Sequence, residues 1–418
     1  MPRKVPEPTL IPGPEDRLQE VIDYERARKA AYHRVMAWKQ PFEVIGEELA
    51  RQGAANSTAN RVAVERQAWE EDGYFRYGLS AKIFHIPFIN DVSDFKLYAI
   101  VQRSPKPDDD AAKDWPDVKV YRSSEELVAD PDVDVVVVTT APVSHFELAK
   151  LAIDNGKHVI VEKPFTPTSK EAFELAELAK GKGVVLTVYQ NRRWDQDFLT
   201  LKKILADGTL GRVVEFNTYF DRHRPQPKPQ ARWQDVKSPG TGAVYDLGTH
   251  LIDQAVDLFG LPTSVTGFTG RQRKGQGKNA SDDSATIILR YQTPEDEEGE
   301  FGLTVTAKAG VISLEEKQLR YWVRGEKGTW KKWNLDTQED QLRRGLRPGA
   351  PGYGQEDEPG LLTTIDSDGK ISSTQVKGVE PKTYSEFYRR FAAALNGSKE
   401  QVPVDATTAA QVIKLVLL

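Results

Sequence analysis

The stretch that most limits the fold of this chain is Val133–Thr140, VDVVVVTT, with four consecutive valines between Pro131 and Pro142. β-Branched side chains suit a strand, and a run without polar alternation suits one covered on both faces. Similar short runs recur at Lys96–Val101 (KLYAIV), His158–Val161 (HVIV) and Val184–Val188 (VVLTV). Helical patterns lie between them, at Val143–Asn155, ended by Gly156, and at Ser169–Lys180. Continuous apolar strands alternating with helices predict an α/β fold: a Rossmann-type, doubly wound parallel sheet of the nucleotide-binding kind.

The texture changes after Arg192. Val213–Phe220, Ser264–Phe268, Ala285–Tyr291, Phe301–Lys308 and Leu319–Arg324 alternate Thr, Tyr and charges against Val, Ile and Phe. They predict an α+β domain with a large, mostly antiparallel open sheet, whose free face is a surface for self-association. Thr293–Glu300 (TPEDEEGE) is expected to be a solvated hairpin tip rather than a metal site. The start is different again: Pro2, Pro6, Pro8, Pro12 and Pro14 exclude regular structure there. A helical pattern then runs from Glu15 to Lys39, with shorter helical stretches around Phe42–Arg51 and Arg61–Glu71. The expected division is 1–72, a helical or irregular N-terminal extension; 73–190, a dinucleotide-binding domain; and 191–418, a substrate-binding and oligomerisation domain. An extension with no role is favoured over a partner-binding arm, because its apolar stripe is narrow and Ala-rich.

Composition excludes several classes. A net charge of −5 gives no global field for nucleic acid or an anionic membrane. No apolar run reaches the roughly 18–20 residues of a membrane-spanning helix, and MPRKVPEPTLIPGPEDR has no secretion-signal core; a cytoplasmic location is the expectation. With no cysteine there is no thiol nucleophile and no cysteine–zinc site, and no metal is expected. Six histidines, His33, His85, His145, His158, His223 and His250, are the only residues with an ordinary pKa near neutrality.

Two motifs carry chemistry. Glu162-Lys163-Pro164 follows the strand His158–Val161, where an open α/β sheet binds its ligands, and a lysine there can stabilise an alkoxide. Alone, it reads equally as a surface lysine before a helix-starting proline. About 80 residues on comes Pro239–Asp253, PGTGAVYDLGTHLID. On a regular helix Asp246 and His250, four apart, share a face, so the carboxylate can orient an imidazole that takes a hydroxyl proton. The bland alternative is an i,i+4 pair on a structural helix, with Asp253 an ordinary surface acid.

From about Tyr77 to Leu418 the chain resembles the glucose–fructose oxidoreductase and inositol dehydrogenase family, Gfo/Idh/MocA. The likeness rests on both motifs, on Thr139–His145 (TTAPVSH), Tyr189–Asp195 (YQNRRWD) and Leu205–Gly211 (LADGTLG), and on Gln338–Leu342 followed by Pro348–Gly354. It implies Lys163, Asp246 and His250 as catalytic residues, with His250 the acid/base. It implies that Thr140, Pro142, His145, Glu162 and Pro164 line the nicotinamide and its ribose, and that Ser80 and Ala81 face the cofactor. Arg193, Trp194 and Tyr245 would lie near the substrate, Trp194 serving equally as packing. Family members are usually dimers or tetramers, so a homo-dimer or higher oligomer is expected.

The chain departs from the family at its first turn. Gly78 and Ala81 fit the second and third small residues of Gly-x-Gly-x-x-Gly/Ala, but Arg76 stands at the first glycine, and Glu70–Gly73 replaces the apolar first strand. That strand is expected to be degenerate. Either residues 1–75 come from a mis-joined or alternative first exon, or the chain is a variant with weakened cofactor binding; the abrupt onset of likeness at Tyr77 favours the first. After Leu97–Val101, Arg103 and Ser104 stand where an acid would hold the NAD ribose, which favours NADP over NAD. The leading expectation is an NAD(P)-dependent oxidoreductase acting on a sugar- or polyol-like alcohol or carbonyl. The alternatives are a catalytically silent, ligand-binding or regulatory relative, and a lyase or glycosidase using the nicotinamide transiently.

Overall fold

The computed structural model describes residues 59–65, 80–105, 109–226, 235–292, 301–398 and 401–417. The expected N-terminal helices through Arg51, Gly78 and Arg76 of the altered turn, and the Thr293–Glu300 loop lie outside them. The elements of the site belong to one compact unit, Asn56–Leu258 with Pro262–Leu418. Of the other, Met1–Ala55 with Phe259–Leu261, the described part is Phe259, which closes the helix Thr249–Phe259, and the two residues after it.

Six parallel strands form the first sheet: β1 (Asn60–Glu65), β2 (Phe95–Val101), β3 (Lys119–Tyr121), β4 (Val135–Val138), β5 (His158–Val161) and β6 (Leu186–Val188). Their order, β3-β2-β1-β4-β5-β6, is that of the doubly wound dinucleotide-binding fold. The valines of β4 and the Val159–Val161 run are fully buried, as the unbroken apolar pattern requires. Helices His145–Asp154 and Ser169–Lys182 follow β4 and β5; the second starts on a Thr168/Glu171 capping box and ends at Gly183, φ +70°.

The degenerate first strand is corrected. β1 is Asn-Arg-Val-Ala-Val-Glu, well before Glu70–Gly73, and it replaces the helix expected from Arg61. Val62, Ala63 and Val64 are fully buried between β2 and β4. Three apolar residues suffice because both neighbours are themselves covered strands; flanked by Arg61 and Glu65, they are too few to stand out in sequence. The acids of Glu70–Asp72 are therefore not the central strand.

The second sheet has eight strands: β7 (Val213–Asp221), β8 (Ser264–Gly270), β9 (Ser284–Gln292), β10 (Phe301–Gly310), β11 (Leu319–Gly325), β12 (Gly328–Trp333), β13 (Gly360–Ile365) and β14 (Ile371–Val376). The order is β14-β13-β12-β11-β7-β10-β9-β8, and β7–β10 is its one parallel pairing. Phe216, Ile287, Leu289, Val305 and Trp330 are buried on the inner side. Outward residues stay open, with Phe268 63% exposed. β3 and β12–β14 had no clear sequence signal; β14, exposed along most of its length at the sheet edge, has no core face to mark it.

Candidate active site

Lys163 stands just past the carboxyl end of β5, in a turn that its surroundings fix tightly. The Lys163–Pro164 peptide is cis. His145, fully buried, reaches the Pro164 and Phe165 carbonyls from Nδ1 (2.9 and 3.1 Å) and the Thr140 carbonyl from Nε2 (3.1 Å). Both ring nitrogens of this residue, expected to line the nicotinamide, thus face main-chain carbonyls. Ser144 donates to the Thr140 hydroxyl at 2.8 Å, and Pro142 is buried.

The second motif arrives through a tight glycine turn. Gly240 and Gly242 have φ of +78° and +97°; a Cβ on Gly240 would lie 2.9 Å from that of Pro142, and one on Gly242 would overlap the Asp282 carboxylate. Only glycine meets both demands. The chain then makes a π-helical turn, Val244–Gly248, before the α-helix Thr249–Phe259. This turn packs on β9 and β10.

Asp246 does not orient His250. Its carboxylate and its main-chain carbonyl both accept from Lys163 Nζ, at 3.0 and 2.9 Å. The i,i+4 expectation assumed α-helical register, and a π turn rotates that register. Two of the three ammonium hydrogens are thus taken, leaving one for a ligand. Burial raises the Asp246 pKa, but Lys163 and Arg222 outweigh it and the net shift is downward, so the carboxylate is ionised.

His250 is buried, and its Nδ1 has no hydrogen-bond partner. Burial first, and then the charges of Lys163, Arg192, Arg320 and Arg222, hold its pKa well below the ordinary value, so it is neutral at pH 7. Its ring stacks on that of Phe220 at 6.3 Å, and the guanidiniums of Arg192 and Arg222 each lie 4.7 Å from the Phe220 ring. Arg192 pairs with Asp195 (3.2 Å) and Glu339 (2.8 Å). Arg222, just past the end of β7, thereby joins this cluster.

Glu162 faces the other way. Its Oε2 accepts from the Lys163 amide at 2.9 Å, and its Oε1 from Ser80 and from His85 Nε2, the latter at 3.0 Å. His85 Nδ1 meets the Tyr388 hydroxyl at 2.7 Å. Ala81 is buried in the π-helical turn Ala81–His85, and Arg103 and Ser104 lie exposed just after β2. Sequence reasoning missed His85 and Tyr388; the phrase Phe84-His85-Ile86-Pro87 was the one local sign.

Three residues expected near the substrate make defined contacts within the protein. Arg193 is locked to Asp253 (2.7 Å) and Asp257 (2.9 Å), which makes Asp253 a buried partner rather than a surface acid. Trp194 packs edge-on to Phe387 at 5.6 Å, and the Tyr245 hydroxyl donates to the Pro167 carbonyl at 2.7 Å. Behind Arg192 lies a buried acidic group: Asp197 pairs with Arg320 (3.0 Å), Glu356 with Lys332 (2.8 Å), and Asp336 accepts the amides of Gln196 and Gln338 (2.8 Å each).

The chain is similar to known proteins along most of its length. Residues 77–190 match an oxidoreductase family described by its NAD-binding Rossmann fold, and residues 198–331 match the GFO/IDH/MocA C-terminal domain. The chain is 39% identical to the uncharacterised oxidoreductase YdgJ of Escherichia coli K12, over 83% of this chain and 94% of that one. It is 34% identical to IolW of Bacillus subtilis, a scyllo-inositol 2-dehydrogenase (NADP(+)), over 82% of this chain and 91% of that one. A solved oxidoreductase from Bacillus cereus superposes with a TM-score of 0.72 at 28% identity, covering 86% of this chain and 95% of that one.

Proposed function

Because this chain belongs to the GFO/IDH/MocA oxidoreductase family, we propose that it is a dehydrogenase that oxidises a secondary alcohol of a polyol or sugar, with NADP as the preferred cofactor. One observation carries the reading: Lys163 keeps a free ammonium hydrogen beside a buried, neutral His250 that lacks a hydrogen-bond partner. His250 takes the hydroxyl proton, and a base held neutral by its surroundings is ready to do so at pH 7. Lys163 donates to the same oxygen and stabilises the alkoxide, while Asp246 keeps the ammonium charged and aimed. Reduction uses the same groups in reverse.

The residues available fit a nicotinamide dinucleotide. The unpartnered imidazole nitrogen is a group waiting for a ligand, and Ser80, Ala81, Thr140, Pro142, Glu162 and Pro164 sit in the turns after β1, β4 and β5, where the fold binds dinucleotides. When bound, the nicotinamide supplies the hydride acceptor. Exposed Arg103 and Ser104, after β2, would take a 2′-phosphate. The open face of the eight-stranded sheet is read as the surface joining copies of the chain.

Titration of the purified protein with NADPH and NADH, followed by a screen of inositols and aldoses with His250→Ala as control, tests the reading. Tighter NADPH binding and polyol oxidation lost in the variant are expected. Failure of both nucleotides to bind the folded protein would overturn it.

A further inference from the structure

Glu162 and Lys163 are neighbours of opposite charge, yet they do not pair. Lys163 is claimed by two oxygens of Asp246, and Glu162 by donors on other elements: Ser80, His85 and the Lys163 main-chain amide. His85 is the fully buried member of this set, with the Tyr189 ring 4.2 Å away and the Tyr388 hydroxyl at Nδ1. A carboxylate only accepts, so Nε2 must carry a proton; in the neutral ring Nδ1 is then the acceptor, and Tyr388, from the helix Ser385–Leu395, the donor. Burial raises the Tyr388 pKa well above the ordinary range, so the hydroxyl keeps its proton.

We propose that His85, with its tautomer fixed by Tyr388, is a positioning residue for the reaction, holding the Glu162 carboxylate away from the Lys163 ammonium so that Lys163 remains with Asp246 and the substrate. The proposal rests on the role given to Lys163 above. Glu162 sits where burial raises its pKa, and the His85 contact is the first of the effects that outweigh burial and keep it ionised, ahead of Ser80 and Lys163. Without His85, this anion would have lost its strongest donor with an ammonium one residue away. The titratable groups around it are His85, Lys163, Tyr189, Tyr388 and His145.

The test compares His85→Ala, His85→Asn, His85→Gln and Tyr388→Phe in the full chain. A glutamine amide reaches the place of Nε2 and can still donate to Glu162; asparagine and alanine cannot. The expected loss of kcat is on the order of 10–100-fold for Ala and Asn, in line with a small misplacement of a catalytic group, with NADPH affinity changed far less, and with glutamine restoring most of the rate. Acylation of Lys163, read by mass spectrometry without turnover, should slow in His85→Ala and recover in His85→Gln. Tyr388→Phe keeps the ring and removes only the hydroxyl, so the fold is retained; its rate and its Lys163 labelling should both fall, less than in His85→Ala, because the Nε2–H tautomer is no longer held. Equal defects in all three His85 variants, Lys163 labelling unchanged in His85→Ala, or full activity in Tyr388→Phe would overturn the proposal. If the chain binds NADPH but oxidises no polyol, the substrate reading fails while the labelling result still decides the role of His85.

Discussion

In the cleft around His250 the cations outnumber the acids that pair with them, whereas behind Arg192 the carboxylates outnumber the cations. On the cleft side are Lys163, Arg192 and Arg222 against Asp246 and Glu339. On the far side are Asp195, Asp197, Asp336 and Glu356 against Arg192, Arg320 and Lys332. Burial disfavours charge in both places, but with opposite consequences. It pushes a base down where cations surround it, leaving His250 neutral, and pushes acids up where acids surround them: Asp195 and Glu356 both rise to about 7. One of these outcomes serves the proposed chemistry and the other the scaffold, and Arg192 takes part in both.

The comparison breaks most completely at His250. His250→Ala should cut kcat by on the order of 10²–10⁴-fold, the usual share of a general base, with little change in melting temperature. Steady-state kinetics beside a thermal melt would show it. Arg192→Met strikes both sides at once, stranding Asp195 and Glu339; about 3–5 kcal/mol of stability should go, measured by urea unfolding.

The far side alone is tested by pH. For Asp195 and Glu356 the folded pKa, about 7, lies above the ordinary 3.8 and 4.5. Their contribution is therefore complete below the ordinary values and is lost as pH rises toward 7. Glu356→Gln should flatten that decline by about 1–2 kcal/mol. The cleft side alone is tested by Arg222→Gln, which removes one cation facing His250. The acid limb of the rate profile should then move to higher pH by about one unit or less.

Sequence made the parallel sheet legible because its strands are buried on both faces and read as apolar runs. Lys163 and Asp246 were legible because they sit in short, dense motifs. β1 was not, since three residues between charges carry no periodicity. The Asp246–His250 partnership was misread for a geometric reason: residue spacing presumes a helix type, and a π turn does not announce itself. Tyr388 lies 303 positions from His85, and no local pattern joins them.

The π turn at Val244–Gly248 also bears on how such a site arises and is lost. A π turn holds one residue more than the α-helical turn it interrupts. A one-residue deletion between Ala243 and Gly248 would let the segment run on as ordinary helix, so the chain could still fold. It would also swing Asp246 away from Lys163, which under the proposed mechanism silences the enzyme with Lys163 and His250 both intact. Descendants of such a chain would keep every motif and differ from active relatives by a single gap, which makes that gap, rather than any substitution, the mark to look for in an inactive copy.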